Sequence, residues 1–158
     1  MIKIIKDDVG GNKMIKTIDM WCDGSYTPKY PGRVGYGIVA FVNNEEIASW
    51  GDYKINDLAD KYRNVLGELY GSMYCMLYAY ENEFDKVIIH ADYQGVISWC
   101  DRTWKCNNEI TEKYRDFYDK MKKSIQIEFV KTKGHSLDEN NNKCDKLAKE
   151  AIRKSLEL

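Results

Sequence analysis

Long apolar runs are missing from this 158-residue chain. No window reaches the roughly 18 consecutive apolar residues that a membrane span needs, so no membrane partner is expected. The opening stretch MIKIIKDDVGGNK also lacks the apolar segment of about 7–15 residues that a secretory signal carries. A cytoplasmic location is the expectation. Proline is scarce, with only Pro28 and Pro31, both in one early loop. There is no internal repeat, low-complexity tract or linker, and the length suits one domain with its own core. The five cysteines (Cys22, Cys75, Cys100, Cys106, Cys144) form no C-x-x-C pair, which leaves a zinc site with little support. Cys100 and Cys106 are the only close pair, and reduced thiols are expected there ahead of a metal or disulfide role.

Excess charge is missing too. The formal net charge is −1, which argues against a binder that holds nucleic acid by charge alone. The two halves differ, however. Residues 1–93 carry 10 basic against 14 acidic side chains, whereas residues 94–158 carry 14 against 11. Two readings of the basic second half stand: a modest phosphate-facing surface, or ordinary solvation of two helices.

Strand and helix signals alternate along the chain. Residues 14–22 are rich in Ile, Thr, Met and Trp and read as a strand, and the Gly/Pro-rich stretch 24–35 reads as a turn. Residues 36–42 and 46–53 read as a hairpin about Asn43-Asn44. Apolar side chains at 65, 69, 73, 76, 77 and 80 have helical spacing, which predicts a long helix over 61–80. KVIIHA, residues 86–91, reads as a buried strand. A helical segment follows from about Tyr93, another spans 110–123, a strand spans 125–131, and a last helix spans 139–155 with Asp138 as its cap. This order predicts an α/β fold. Its mixed five-stranded sheet has three antiparallel leading strands and two further parallel strands, flanked by helices. Residues 1–13 form an N-terminal extension, either an extra strand or a loose arm, ahead of a domain spanning 14–158.

Four carboxylates stand out. Asp23 closes the first strand before Gly24-Ser25, and is either a turn starter or a ligand. Asp92 directly follows KVIIHA. It is either a helix cap or a group at the carboxyl end of a strand, where open α/β sheets bind ligands. Glu68 lies among Gly67, Gly71 and Ser72 on a helix side of small residues that packs close to a sheet, so it should be partly buried and in need of a cation or a proton. Asp145, beside Cys144 and one turn before Ala148, has a similar position on the last helix. If the four converge, their repulsion must be balanced. All-oxygen ligands favour a hard ion such as magnesium or manganese.

Several segments, in order, resemble the type 1 ribonucleases H, enzymes that cleave the RNA strand of RNA–DNA hybrids. They are Cys22-Asp23-Gly24-Ser25, Pro31-Gly32 with Gly35-Tyr36-Gly37, Asn64 with Glu68-Leu69, Asp92-Tyr93-Gln94, Val130 to His135, and NNKCDKLA from Asn141 to Ala148. Together they cover about 14–156. The resemblance implies a ribonuclease H-like fold, catalysis by Asp23, Glu68, Asp92, Asp145 and His135, and binding of two Mg2+ ions (Mn2+ as a substitute) by the four carboxylates. It places His135 on a loop, assisting proton transfer or product release; on the residues alone a solvated loop histidine is the simpler reading. It also implies contacts from Ser25, Asn64 and Gln94 to the hybrid, where neutral amides and hydroxyls can read an RNA 2′-hydroxyl.

The chain departs from the family pattern in places. Tyr30 stands where an Asn usually precedes Pro-Gly, Tyr93 replaces a common Ser, and Val65 a frequent second Asn. The segment from Trp99 to Ile110 is short, with only Arg102 and Lys105 as basic residues, so the basic protrusion of some members is missing. Grip on the hybrid then falls to the Lys-rich 113–133 region, with Trp99 and Trp104 either stacking on substrate or in the core. The expected protein is a monomeric hybrid-cleaving endonuclease; the alternative is a hybrid-binding module of weak or no activity. A 3′–5′ exonuclease of D-x-E type is disfavoured, because Ser25 stands two residues after Asp23.

Overall fold

The computed structural model describes residues 2–6, 12–133 and 138–157. Among the described residues ten elements follow one another: β1 (Ile2–Lys6), β2 (Asn12–Ser25), β3 (Arg33–Val42), β4 (Glu45–Ile55), α1 (Ala59–Glu81), β5 (Lys86–Ala91), α2 (Gln94–Ser98), α3 (Glu109–Met121), β6 (Gln126–Lys131) and α4 (Glu139–Lys154). The main sheet has the order β4-β3-β2-β5-β6. β2, β3 and β4 pair antiparallel, while β5 pairs parallel with β2 and with β6. This is the mixed five-stranded sheet expected from the order of elements. β1 adds a sixth strand by pairing antiparallel with the start of β2, Ile2 opposite Lys16.

Alternation along the strands gives the sheet two covered faces. Ile18, Met20 and Cys22 of β2, with Tyr36, Ile38 and Ala40 of β3, join Leu69, Cys75, Met76 and Ala79 of α1 in the main core. Leu69 and Met76 are fully buried; truncating either to Ala should cost about 2–5 kcal/mol. The alternate positions of β3 face α4. A Cβ on Gly35, Gly37 or Gly51 would collide with the α4 backbone at Ala148, Cys144 or Leu147 respectively. Glycine there lets the helix lie directly on the strands.

Local chemistry explains most boundaries. Asn43 and Asn44 take φ of 53° and 64°, the left-handed pair of a tight hairpin turn. Asp138 caps α4, its side chain accepting from the Asn141 N–H. Most boundaries shift by one to three residues, and three differences matter for the site. Asp23 does not close its strand: β2 continues to Ser25, and Asp23 pairs with Gly37. The segment after Tyr93 is a helix of only 5 residues, α2. The helix expected over 61–80 begins at Ala59 and breaks at Arg63, where φ is 51° and ψ −129°. The turn before that break is pinned from outside the helix. Asp60 Oδ1 accepts from the Tyr26 hydroxyl at 2.7 Å and from the Gly32 N–H at 2.9 Å, which ties the helix start to the Pro31-Gly32 loop.

Candidate active site

Glu68 reaches the sheet because two glycines let α1 approach it. A Cβ on Gly67 would stand 2.6 Å from the Gly35 carbonyl oxygen and 3.1 Å from Gly24 Cα. The helix therefore lies against β2 just where Asp23 sits. Asp92 arrives from the parallel neighbour, one residue past the end of β5. Carboxylate oxygens of Asp23, Glu68 and Asp92 all lie within 4.8 Å of one another. Asp145, on α4, is not within that group. It lines the same cavity of about 270 Å³, and its Oδ2 accepts from Lys149 Nζ at 2.9 Å.

The electrostatics mark this cluster as short of positive charge. Burial lifts the Asp23 carboxyl from its usual 3.8 to about 6. The Asp92 and Asp145 charges add to that rise, while hydrogen bonds with Glu68 and the Gly24 N–H oppose it. Burial, then the hydrogen bond and charge of Asp23, hold Glu68 well above the ordinary carboxyl range. Glu68 is only 6% exposed, and its Oε2 has no hydrogen-bond partner among the described residues. A buried oxygen acceptor without a partner, beside two more carboxylates, suits an oxygen-seeking divalent cation. The residues present thus fit a magnesium or manganese ion.

The remaining expected site residues are placed variously. Asn64 is exposed and lines the cavity. Ser25 is buried at the end of β2, and a Cβ on Gly67 would come 3.0 Å from its N–H nitrogen. Gln94 opens α2, and its Nε2 donates to Ser98 Oγ at 2.8 Å. His135 lies outside the described residues. Of the two tryptophans left open, Trp104 is 39% exposed and Trp99 is half-buried. Both rings pack edge-on against each other and near Tyr93, beside Asp92.

Asn141, Asn142 and Lys149 also line the cavity; the first two open the NNKCDKLA segment, but the sequence reading gave none of the three a role. A signal was available. Asn141 and Lys149 lie four residues before and after Asp145, and so share its helix face.

Comparison with known proteins agrees with this geometry. The family model for ribonuclease H matches residues 16–153. The chain belongs to the ribonuclease H family of enzymes. It is 26% identical over 143 residues to a ribonuclease H of Aeromonas salmonicida, covering 87% of this chain and 91% of that protein. A ribonuclease H of Clostridium botulinum is 36% identical, but over 58 residues, 35% of this chain and 39% of the relative's length. Among solved structures, the ribonuclease H1 of Halobacterium salinarum matches with a TM-score of 0.70 at 20% identity, covering 87% and 98% of the two chains. LC11-RNase H1, solved in complex with an RNA/DNA hybrid, matches with a TM-score of 0.72 at 18% identity, covering 88% and 99%. These structural likenesses establish the shared fold.

Proposed function

We propose that this chain is an endonuclease that hydrolyses the RNA strand of RNA–DNA hybrids. The observation that carries the proposal is the convergence of Asp23, Glu68 and Asp92 about an unpartnered buried oxygen. Those three residues would hold a divalent cation, magnesium first and manganese as its substitute. Asp145, which lines the same cavity and pairs with Lys149, would be the fourth ligand. Bound there, one or two such ions would supply Lewis acidity for hydrolysis of a phosphodiester.

The chain's own groups do the rest. Burial and the neighbouring carboxylates favour the protonated forms of Asp23 and Glu68, and a bound cation would favour their charged forms. Asn64, exposed at the cavity edge, offers an amide that both donates and accepts, as reading a 2′-hydroxyl requires. Ser25 and Gln94 add further hybrid contacts. Gln94 turns from Ser98 to make its own. His135 moves a proton or speeds product release. The protein works as a monomer in the cytosol. Its five cysteines are unpaired, and none of the described helices is long and apolar enough to cross a membrane.

The test is cleavage of a labelled hybrid with Mg2+ or Mn2+, with a chelator control. The RNA strand should be cut, and single-stranded RNA and duplex DNA spared. Asp92→Asn should abolish turnover and leave the circular dichroism spectrum unchanged. No cleavage with either metal sinks the proposal, and hybrid binding without cleavage would favour a binding module instead.

A further inference from the structure

Among the described residues, Asn141 is the one neutral side chain seen to donate to the carboxylate cluster. It is 3% exposed, in the first turn of α4. Its backbone N–H donates to Asp138 Oδ1 at 2.9 Å. The other oxygen of Asp138, Oδ2, accepts from Trp21 Nε1 at 3.3 Å. Trp21 pairs with His90 in the parallel β2–β5 ladder, and Asp92 lies two residues beyond His90. The ring closes where Asn141 Nδ2 donates to Asp92 Oδ2 at 3.4 Å. β2, the start of α4 and the end of β5 are thus linked through Asp138 and Asn141.

The other end of that amide argues against a purely structural role. Asn141 Oδ1 is buried and has no hydrogen-bond partner among the described residues. A buried acceptor without a partner costs stability, and leucine, with the same branching and number of heavy atoms, would avoid that cost. An amide N–H is also the group that can hold a carboxylate without competing for cation, since it donates only and carries no charge. With Oδ2 engaged, Asp92 has a fixed orientation and its other oxygen stays available to a ligand.

From this we infer that Asn141 is a positioning residue: its amide orients Asp92 for divalent cation and couples the start of α4 to the metal-binding end of β5. The inference rests on the proposed metal site. Groups that orient metal ligands from behind are typically worth about 10–100-fold in metal affinity or activity.

The experiment compares the wild-type protein with Asn141→Leu, Asn141→Ala and Asn141→Gln. Mg2+ affinity is read by titration calorimetry, melting temperature with chelator and with Mg2+, and hybrid cleavage as kcat and KM against Mg2+ concentration. Asn141→Leu is expected to melt at or above the wild-type temperature in chelator. It should bind Mg2+ about 10–100-fold more weakly, lose most of the Mg2+-induced rise in melting temperature, and keep the wild-type KM for hybrid. Asn141→Ala reports the same loss of affinity if the leucine variant does not fold, and Asn141→Gln, which keeps the amide, should recover part of it. Mg2+ binding at wild-type strength in the leucine or alanine variant overturns the inference, even if the melting temperature drops. A wild-type protein that neither binds Mg2+ nor cleaves hybrid overturns the metal reading first, and this inference with it.

Discussion

Gly24 of β2 and Gly67 of α1 meet backbone to backbone, and that contact puts Glu68 beside Asp23. A Cβ on Gly24 would stand 2.9 Å from Gly67 Cα and closer still to the Gly67 carbonyl carbon and the Glu68 nitrogen. Backbone atoms on both sides cannot swing away as a side-chain tip can. Gly24→Ala should therefore destabilise the protein by about 1–3 kcal/mol. Gly67→Ala gains about 1 kcal/mol of helix propensity, which offsets part of a similar clash. Denaturant unfolding should show both variants weaker than wild type, with Gly24→Ala the more damaging. A neutral Gly24→Ala would mean that the contact is looser than the structure gives.

Glu68 should be a stability liability until cation is bound. Its buried Oε2 has no partner among the described residues, and burial together with Asp23 disfavours the charged form. Glu68→Gln should stabilise the chelator-treated protein at pH 8 by about 1–3 kcal/mol, the scale of a buried polar group relieved of an unmet demand. The same change should erase Mg2+-induced stabilisation and turnover. Thermal melts with and without Mg2+ read both effects at once.

Asp23 sets a pH dependence of defined sign. Its carboxyl titrates near 3.8 when unfolded and near 6 when folded. Between those values the folded state binds more protons than the unfolded state, so stability falls as pH rises through the window. Asp60, Asp101 and Asp119, held below the usual range by hydrogen bonds to their carboxylates, act in the opposite sense but at lower pH. The chelator-treated protein should thus lose stability from about pH 4 to 6, and Asp23→Asn should flatten that slope. Mg2+ should restore stability above pH 6, and its binding near pH 6 should release protons, seen as a buffer-dependent heat in calorimetry.

Arg63 carries backbone strain at φ 51° and ψ −129°, a region that side-chain-bearing residues avoid. Its ring contact with Tyr26, 5.4 Å from guanidinium to centroid, is exposed and returns little. Arg63→Gly should raise stability by about 1 kcal/mol. The freed backbone should also loosen Asn64, raising the KM for hybrid with kcat unchanged. A lower melting temperature for Arg63→Gly would show that the side-chain contacts outweigh the strain.

Much of this was legible in the sequence where the cause is local. Asn43-Asn44 names its own turn, and Asp138 sits three residues before the N–H it caps. The three converging carboxylates were found by ordered motifs and by the small residues about Glu68. What escaped notice has causes distant in the chain. The break at Arg63 comes three residues after Asp60, which is held by Tyr26 and Gly32 from 34 and 28 residues earlier. Asp23 looked like a strand end because Gly24-Ser25 reads as a turn. In the fold those two residues find ladder partners in Tyr36 and Gly35 of β3, so the strand runs on. Asn141 and Lys149 show a role only once α4 lies along the cavity.

That seating of α4 has a mechanical consequence. Gly35, Gly37 and Gly51 put its backbone against two strands, much as Gly24 and Gly67 do for α1. No compliant layer of side chains lies at these contacts to absorb a shift. Both helices are seated on the sheet by backbone contact, so the spacing between their carboxylates and the strands is set by main-chain atoms and not by adjustable side chains.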